Sequence, residues 1–210
     1  MEFSEFRSRL EKGLAMGLPG EEAQYSLAPQ RRQRLSELDL DLSRVKKAGV
    51  LALFEHREGL AQIVLTKRSE YPGAHSGQIS FPGGRYEDED LNFENTAKRE
   101  TEEEVGLKAD AYQIISPLTE LYIPPSNFLV HPFLAISEEP TDLKREIKEV
   151  AQIIRLPFQE FLEPTNVQEI KVTITGGMKL PTTAFVVQGH IIWGATAMIL
   201  SEIRAIVINS

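Results

Sequence analysis

Phe3, Phe6, Leu10 and Leu14 recur at spacings of three and four, a period that predicts an amphipathic first helix ending near Gly17–Gly20. A polar segment follows to about Lys47, carrying Pro29 and the basic cluster Arg31, Arg32 and Arg34. From Ala48 the pattern changes to short apolar runs. AGVLALFEH and LAQIVLT, split by the turn-prone Arg57-Glu58-Gly59, predict a hairpin. AYQIISPL and FLVHPFLAI predict two further strands, joined by the loop LTELYIPPSN, which Pro124-Pro125 stiffens. EIKVTI and TTAFVVQ predict another pair across Gly176-Gly177. The chain has no internal repeat and no low-complexity tract.

With 210 residues and 41% hydrophobic content, the chain can bury one sizeable core. One domain is therefore expected over residues 48–210, with residues 1–47 as an N-terminal helical extension that caps it. A net charge of −8 argues against sequence-independent binding to nucleic acid or an anionic membrane. The absence of cysteine removes both a disulfide framework and a thiol nucleophile. MEFSEFRSRLEKGL is charged throughout and is not of signal-peptide type, and no run approaches a membrane span. A soluble, cytoplasmic protein is expected.

The chemistry concentrates in Phe81–Leu107, FPGGRYEDEDLNFENTAKRETEEEVGL. Asn92 is a good N-cap and Gly106 suits a left-handed position after a helix end, so a helix is predicted between them. Each helical residue advances about 100°, which places Glu100, Glu103 and Glu104 on one narrow face. Like charges so spaced repel on an exposed helix. A hard divalent cation such as Mg²⁺ or Mn²⁺ would reverse that sign. A solvated acidic face remains the alternative for three glutamates alone. Arg99 lies about 40° from Glu103 around the helix and is suited to orient that carboxylate or to screen the repulsion. Gly83 and Gly84 permit a turn that lets the backbone approach a ligand or metal closely. Arg68, at a strand end, can grip a phosphate with two prongs or pair with a surface carboxylate.

Gly84, Arg99-Glu100, Glu103-Glu104 and Gly106-Leu107 resemble the Nudix box, the signature of hydrolases that cut nucleoside diphosphates linked to another group. The spacing from Gly84 to Arg99 is one residue longer than is usual, which is similar to the coenzyme A pyrophosphatase branch, where a carboxylate stands as Asp90 does here. Thr101 occupies a position that is often aliphatic. Leu65, Thr66, Arg68, Ser69, Gly77, Phe81, Pro82, Gly83 and Gly84 resemble a second signature of that branch. Gly73 replaces an arginine common there, leaving His75 or Lys67 to stand in for it. The proline loop is similar to the branch's own, with Asn127 in place of a glycine, and Tyr122 or Phe128 is placed to stack on an adenine or to fill the core. Glu149-Val150 fits a pair that recurs before a strand. HIIWGATAMILSEIRAIV, with Trp193, looks like the branch's closing strand and helix.

The resemblance implies an α/β (α+β) fold, an α/β/α sandwich around a mixed sheet with the N-terminal helix added. It implies hydrolysis of a pyrophosphate bond, mostly by positioning and electrostatics. Glu100, Glu103 and Glu104 would hold Mg²⁺ or Mn²⁺, and Glu100 or Glu149 would take the proton of the attacking water. Arg99 would support the catalytic glutamates, and Arg68, Lys67, His75, Gly83 and Gly84 would meet the phosphates. The implied substrate is coenzyme A or an acyl-CoA, cut to 4′-phosphopantetheine and adenosine 3′,5′-bisphosphate. ADP-ribose or another nucleotide sugar is the alternative substrate, and a non-catalytic nucleotide sensor the alternative of another class. By analogy with relatives that dimerise, a homodimer is also expected.

Overall fold

The computed structural model describes residues 1–29, 32–69, 77–173 and 177–210. Its centre is β1 (Lys46–Arg57), which is apolar on both faces because both faces are covered. Leu51 and Leu53 point one way, Ala52 and Phe54 the other, and all are fully buried. β1 turns into β2 (Leu60–Arg68) through Glu58 at φ 54° and Gly59 at φ 79°. Two consecutive positive φ angles suit the right-handed twist of a hairpin, as Arg57-Glu58-Gly59 predicted.

Three short strands that no apolar pattern announced extend this sheet: β3 (Ile79–Ser80), β4 (Gly83–Arg85) and β6 (Leu121–Ile123). β5 (Gln113–Pro117) and β7 (Phe128–Ser137) are the two strands expected around the proline loop, and β8 (Val150–Pro157) is the run VAQIIRLP. The order is β3-β2-β1-β7-β5, with β4 on β1, β6 on β7 and β8 on β2. β1 and β7 run parallel from Lys46↔Phe128 to Glu55↔Ser137, while the other pairs are antiparallel. The sheet is mixed, as expected.

Helices cover both faces. On one lies α3 (Phe93–Val105), where Ala97 and Val105 pack with Leu51, Leu53, Val64 and Ala135. On the other lie α1 (Phe3–Ala15), the short α2 (Gly20–Tyr25), α4 (Gln159–Leu162) and α5 (Gly194–Ile208). This is an α/β/α sandwich. α1 enters the main core directly: Phe6 meets Phe54 at 4.6 Å and Phe158 at 5.2 Å between ring centroids. A Cβ on Gly13 would stand 2.0 Å from the carbonyl oxygen of Ile206, so α1 and α5 touch backbone to backbone there. A second sheet, β11-β10-β9, comprises β9 (Val167–Thr173), β10 (Lys179–Val187) and β11 (His190–Trp193). Trp193 is partly buried at the junction of β11 and α5, the expected closing strand and helix. Among the described residues, no helix is long and apolar enough to cross a membrane.

Candidate active site

Local chemistry fixes α3. The Asn92 side chain accepts a hydrogen bond from the Asn95 N–H at 2.8 Å, and Gly106 closes the helix at φ 69° with its N–H on the Glu102 carbonyl. Between these ends Glu100 and Glu104 turn toward the sheet and Glu103 toward solvent, with side chains 13%, 2% and 57% exposed. Thr101, on the buried side, satisfies its hydroxyl on the Ala97 carbonyl at 2.6 Å, which explains how a polar residue sits where an aliphatic one is usual.

Each buried glutamate has a defined seat. The Gly83 N–H donates to Glu104 Oε2 at 3.2 Å, and Arg68 Nη1 stands 3.5 Å from Glu104 Oε1. Burial nevertheless pushes the Glu104 carboxyl up to about 7, with the Glu100 and Glu149 charges adding to the rise against Arg68 and Gly83. Burial raises Glu100 too, opposed by Arg99 and reinforced by Glu103 and Glu149. Gly84 faces the Glu100 carboxyl so closely that a Cβ would lie 2.4 Å from it. Gly83 and Gly84 therefore seat carboxylates of this chain.

Arg99 ties the cluster together. Its Nη1 donates to Glu100 Oε1 and Glu103 Oε2, both at 3.0 Å, so it orients Glu103 as its helical position suggested. Its larger commitment is to Asp90: Nε reaches Oδ1 at 2.7 Å and Nη2 reaches Oδ2 at 3.0 Å. The two-pronged bond holds the buried Asp90 down at about 2, against the cost of burial and with help from the Glu87 N–H and the Thr96 hydroxyl. Arg99 itself is held well above its ordinary value, chiefly by Asp90. Sequence reading noticed Asp90 as a carboxylate and missed this anchoring; its signal was an acid placed one loop ahead of an arginine-bearing helix.

Glu149 reaches the site through backbone bonds. The Lys144 and Glu146 N–H groups donate to the Val105 and Glu104 carbonyls at 2.8 and 2.9 Å, completing the C-terminal turn of α3. The Ser69 N–H donates to the Glu149 carbonyl at 2.8 Å. The segment is thereby pinned between α3 and the end of β2, and the Glu149 charge acts on both Glu100 and Glu104. Lys67 stands half-buried beside Arg68, where the β2–β8 pairing shifts register. His75 and Gly73 lie outside the described residues.

The proline loop packs as a support. Asn127 takes φ 55°, a left-handed conformation that asparagine tolerates better than most residues, so it can stand where a glycine is usual. Its Nδ2 donates to the Arg44 carbonyl and its Oδ1 accepts from the Tyr122 hydroxyl, each at 2.9 Å. Phe128 lies under Lys46, whose Nζ is 5.5 Å from the ring centroid.

Among the described residues, no three His, Cys, Asp or Glu side chains stand ready-made as a metal cage. Arg99 holds Glu103 aside, and Gly83 with Arg68 holds Glu104. The donor chemistry still suits a hard divalent cation: oxygen ligands only, two of them buried and raised chiefly by that burial.

Residues 44–175 match the NUDIX domain family. The chain is 34% identical over 173 residues to an Arabidopsis thaliana protein named Nudix hydrolase 22, chloroplastic, covering 78% of this chain and 56% of that one. It is 29% identical over 159 residues to a human mitochondrial coenzyme A diphosphatase, covering 75% and 67%. It is 34% identical over 141 residues to a Caenorhabditis elegans peroxisomal coenzyme A diphosphatase, covering 65% and 59%. The chain thus spans a little over half the length of two of these relatives and about two thirds of the third.

Proposed function

This chain belongs to the NUDIX domain family, and on that footing we propose that it hydrolyses a pyrophosphate bond in a nucleoside diphosphate derivative. The substrate we assign is coenzyme A or an acyl-CoA, cut to 4′-phosphopantetheine and adenosine 3′,5′-bisphosphate. The observation that carries the reaction is the meeting of Glu100, Glu104 and Glu149 from two separate segments, with the first two raised by burial and by the Glu149 charge. The substrate rests on the Leu65–Gly84 signature and on two relatives named as coenzyme A diphosphatases.

Glu100, Glu103 and Glu104 would hold a divalent cation, Mg²⁺ or Mn²⁺, which when bound would neutralise charge at the diphosphate and acidify nearby water. The residues of the chain do the rest. Glu149 or Glu100 accepts the proton of the attacking water. The water oxygen bonds to phosphorus, the bridging P–O bond breaks, and each product leaves with a phosphate. Arg99 keeps Glu100 and Glu103 in register through its hold on Asp90. Arg68, beside Glu104 at the end of β2, meets a phosphate oxygen, with Lys67 and His75 near it in sequence. Residues 1–47 form an extension to the catalytic domain of residues 48–210, and the protein acts in the cytoplasm on a small-molecule substrate.

The test is product analysis after incubation with coenzyme A and, separately, ADP-ribose, each with Mg²⁺ or Mn²⁺. Adenosine 3′,5′-bisphosphate formed from coenzyme A, with ADP-ribose much slower, is the expected result. Faster cleavage of ADP-ribose would keep the reaction and overturn the substrate. Binding of either without turnover would replace hydrolysis by nucleotide sensing.

A further inference from the structure

Among the described residues, the second sheet ends in an unpaired edge. All of β9 pairs with β10, from Lys179↔Thr173 to Phe185↔Val167, and among the described residues no strand pairs the other edge of β9. Such an edge presents unpaired N–H and C=O groups and is usually blunted by proline, a bulge or like charges. β9 reads VQEIKVT, with no proline, a continuous register against β10, and one charge of each sign. Gln168, Glu169, Lys171 and Thr173 are exposed and Ile170 is half-buried. The strand is thus open at its edge and wet on much of both faces.

We propose that β9 pairs with β9 of a second copy of this chain, antiparallel about a two-fold axis through Ile170, so that one sheet runs across both copies. A two-fold axis normal to the sheet keeps every side chain on its own face, so the centre of pairing must fall on a residue. Centred on Glu169, the strands set that carboxylate against its own copy; centred on Lys171, they set two ammonium groups together. Both registers also shorten the overlap. Centred on Ile170, all of β9 is paired, Glu169 faces Lys171 of the second copy twice over, and the two Ile170 side chains meet on the opposite face. Opposite charges across a strand pair stabilise and like charges destabilise, so the longest register is also the charge-matched one. A single strand edge is smaller than a standard interface, which makes this a concentration-dependent dimer rather than a permanent one.

Sedimentation equilibrium of the full chain over a wide concentration range tests it, with circular dichroism to confirm folding of each variant. The wild type should dimerise. Lys171→Glu and Glu169→Lys should each raise the dissociation constant by about tenfold, since each turns both matched pairs into like charges. The double variant Glu169→Lys/Lys171→Glu restores opposite charges in the same register and should return the constant to near the wild-type value. A wild type that stays monomeric, single variants that dimerise as well as the wild type, or a folded double variant no better than the singles would each overturn the proposal.

Discussion

Asp90 and Arg99 are joined by two hydrogen bonds, 2.7 Å from Nε to Oδ1 and 3.0 Å from Nη2 to Oδ2, and the same guanidinium holds Glu100 and Glu103. Asp90 is 3% exposed, so its negative charge is tolerated only because Arg99, Thr96 and the Glu87 N–H satisfy it. Asp90→Asn keeps the shape and removes the charge that fixes the guanidinium. Activity should fall about 10–100-fold, as is usual when a partner that orients a ligating group is lost. The fall should appear mainly in kcat, with KM little changed, in steady-state assays at saturating metal. A variant with wild-type kcat would separate Asp90 from the positioning of Glu100 and Glu103.

The two shifted carboxyls act on stability in opposite directions. Asp90 is lowered from 3.8 to about 2, so the stability it contributes is present above the unfolded value and is lost as pH falls through about 2. Glu104 is raised from 4.5 to about 7, so its contribution is fully present below 4.5 and is lost as pH rises through about 7. Without metal, the wild type should therefore lose stability relative to Glu104→Gln between those two values. Tm measured against pH for both proteins in chelator checks this. Added Mg²⁺ should raise the wild-type Tm above pH 7 and leave the variant nearly unmoved, and the variant should hydrolyse almost nothing.

Gly84→Ala places a methyl group 2.4 Å from the Glu100 carboxyl. The clashing atoms are the end of a flexible side chain, so the fold should survive and the carboxylate should move. The expected result is a Tm close to wild type with kcat down about tenfold or more, because a small misplacement of a reacting group is costly. A large loss of Tm with normal specific activity of the folded fraction would show that the glycine serves the backbone of β4 alone.

Asn127 combines a left-handed backbone with two hydrogen bonds. Asn127→Ala keeps the strain and removes both bonds, so it should cost about 1–3 kcal/mol of stability. Asn127→Gly also loses the bonds but relieves the strain, and should cost less than the alanine. Urea denaturation of the pair reads the difference directly. Equal losses would show that the hydrogen bonds, not the backbone, decide which residue stands here.

The parts of this site that could be read from the chain are those set by local chemistry. Asn92 and Gly106 mark the ends of α3 because capping acts within a few residues, and the spacing of Glu100, Glu103 and Glu104 follows from helix geometry alone. Glu58-Gly59 marks the hairpin for the same reason. β3, β4 and β6 are too short to show a period, and they exist because longer neighbours offer them edges. α2 is short and its sequence, GEEAQY, carries no apolar stripe. The bond from Arg99 to Asp90 spans a loop, and the approach of Glu149 depends on N–H groups of Lys144 and Glu146 finding the last carbonyls of α3. Those contacts belong to tertiary packing, so the carboxylates and the Arg99–Glu103 pair within one helix could be named from sequence while the partners across loops could not.

Glu149 and Glu100 are the two proposed proton acceptors, and metal dependence separates them. Glu100 is seated against Gly84 and bonded to Arg99 on the face that carries the proposed cation ligands, whereas Glu149 comes from the segment that closes α3 and influences both Glu100 and Glu104 through its charge. If Glu149 takes the proton, Glu149→Gln should lower kcat by about 10²–10⁴-fold, the usual worth of a positioned base. The Mg²⁺ concentration for half-maximal rate should stay near wild type. Glu100→Gln should lower kcat and raise that Mg²⁺ concentration together, because it removes a ligand. If Glu149→Gln retains its rate, the proton goes to Glu100, and Glu149 serves only to raise the carboxyls it faces.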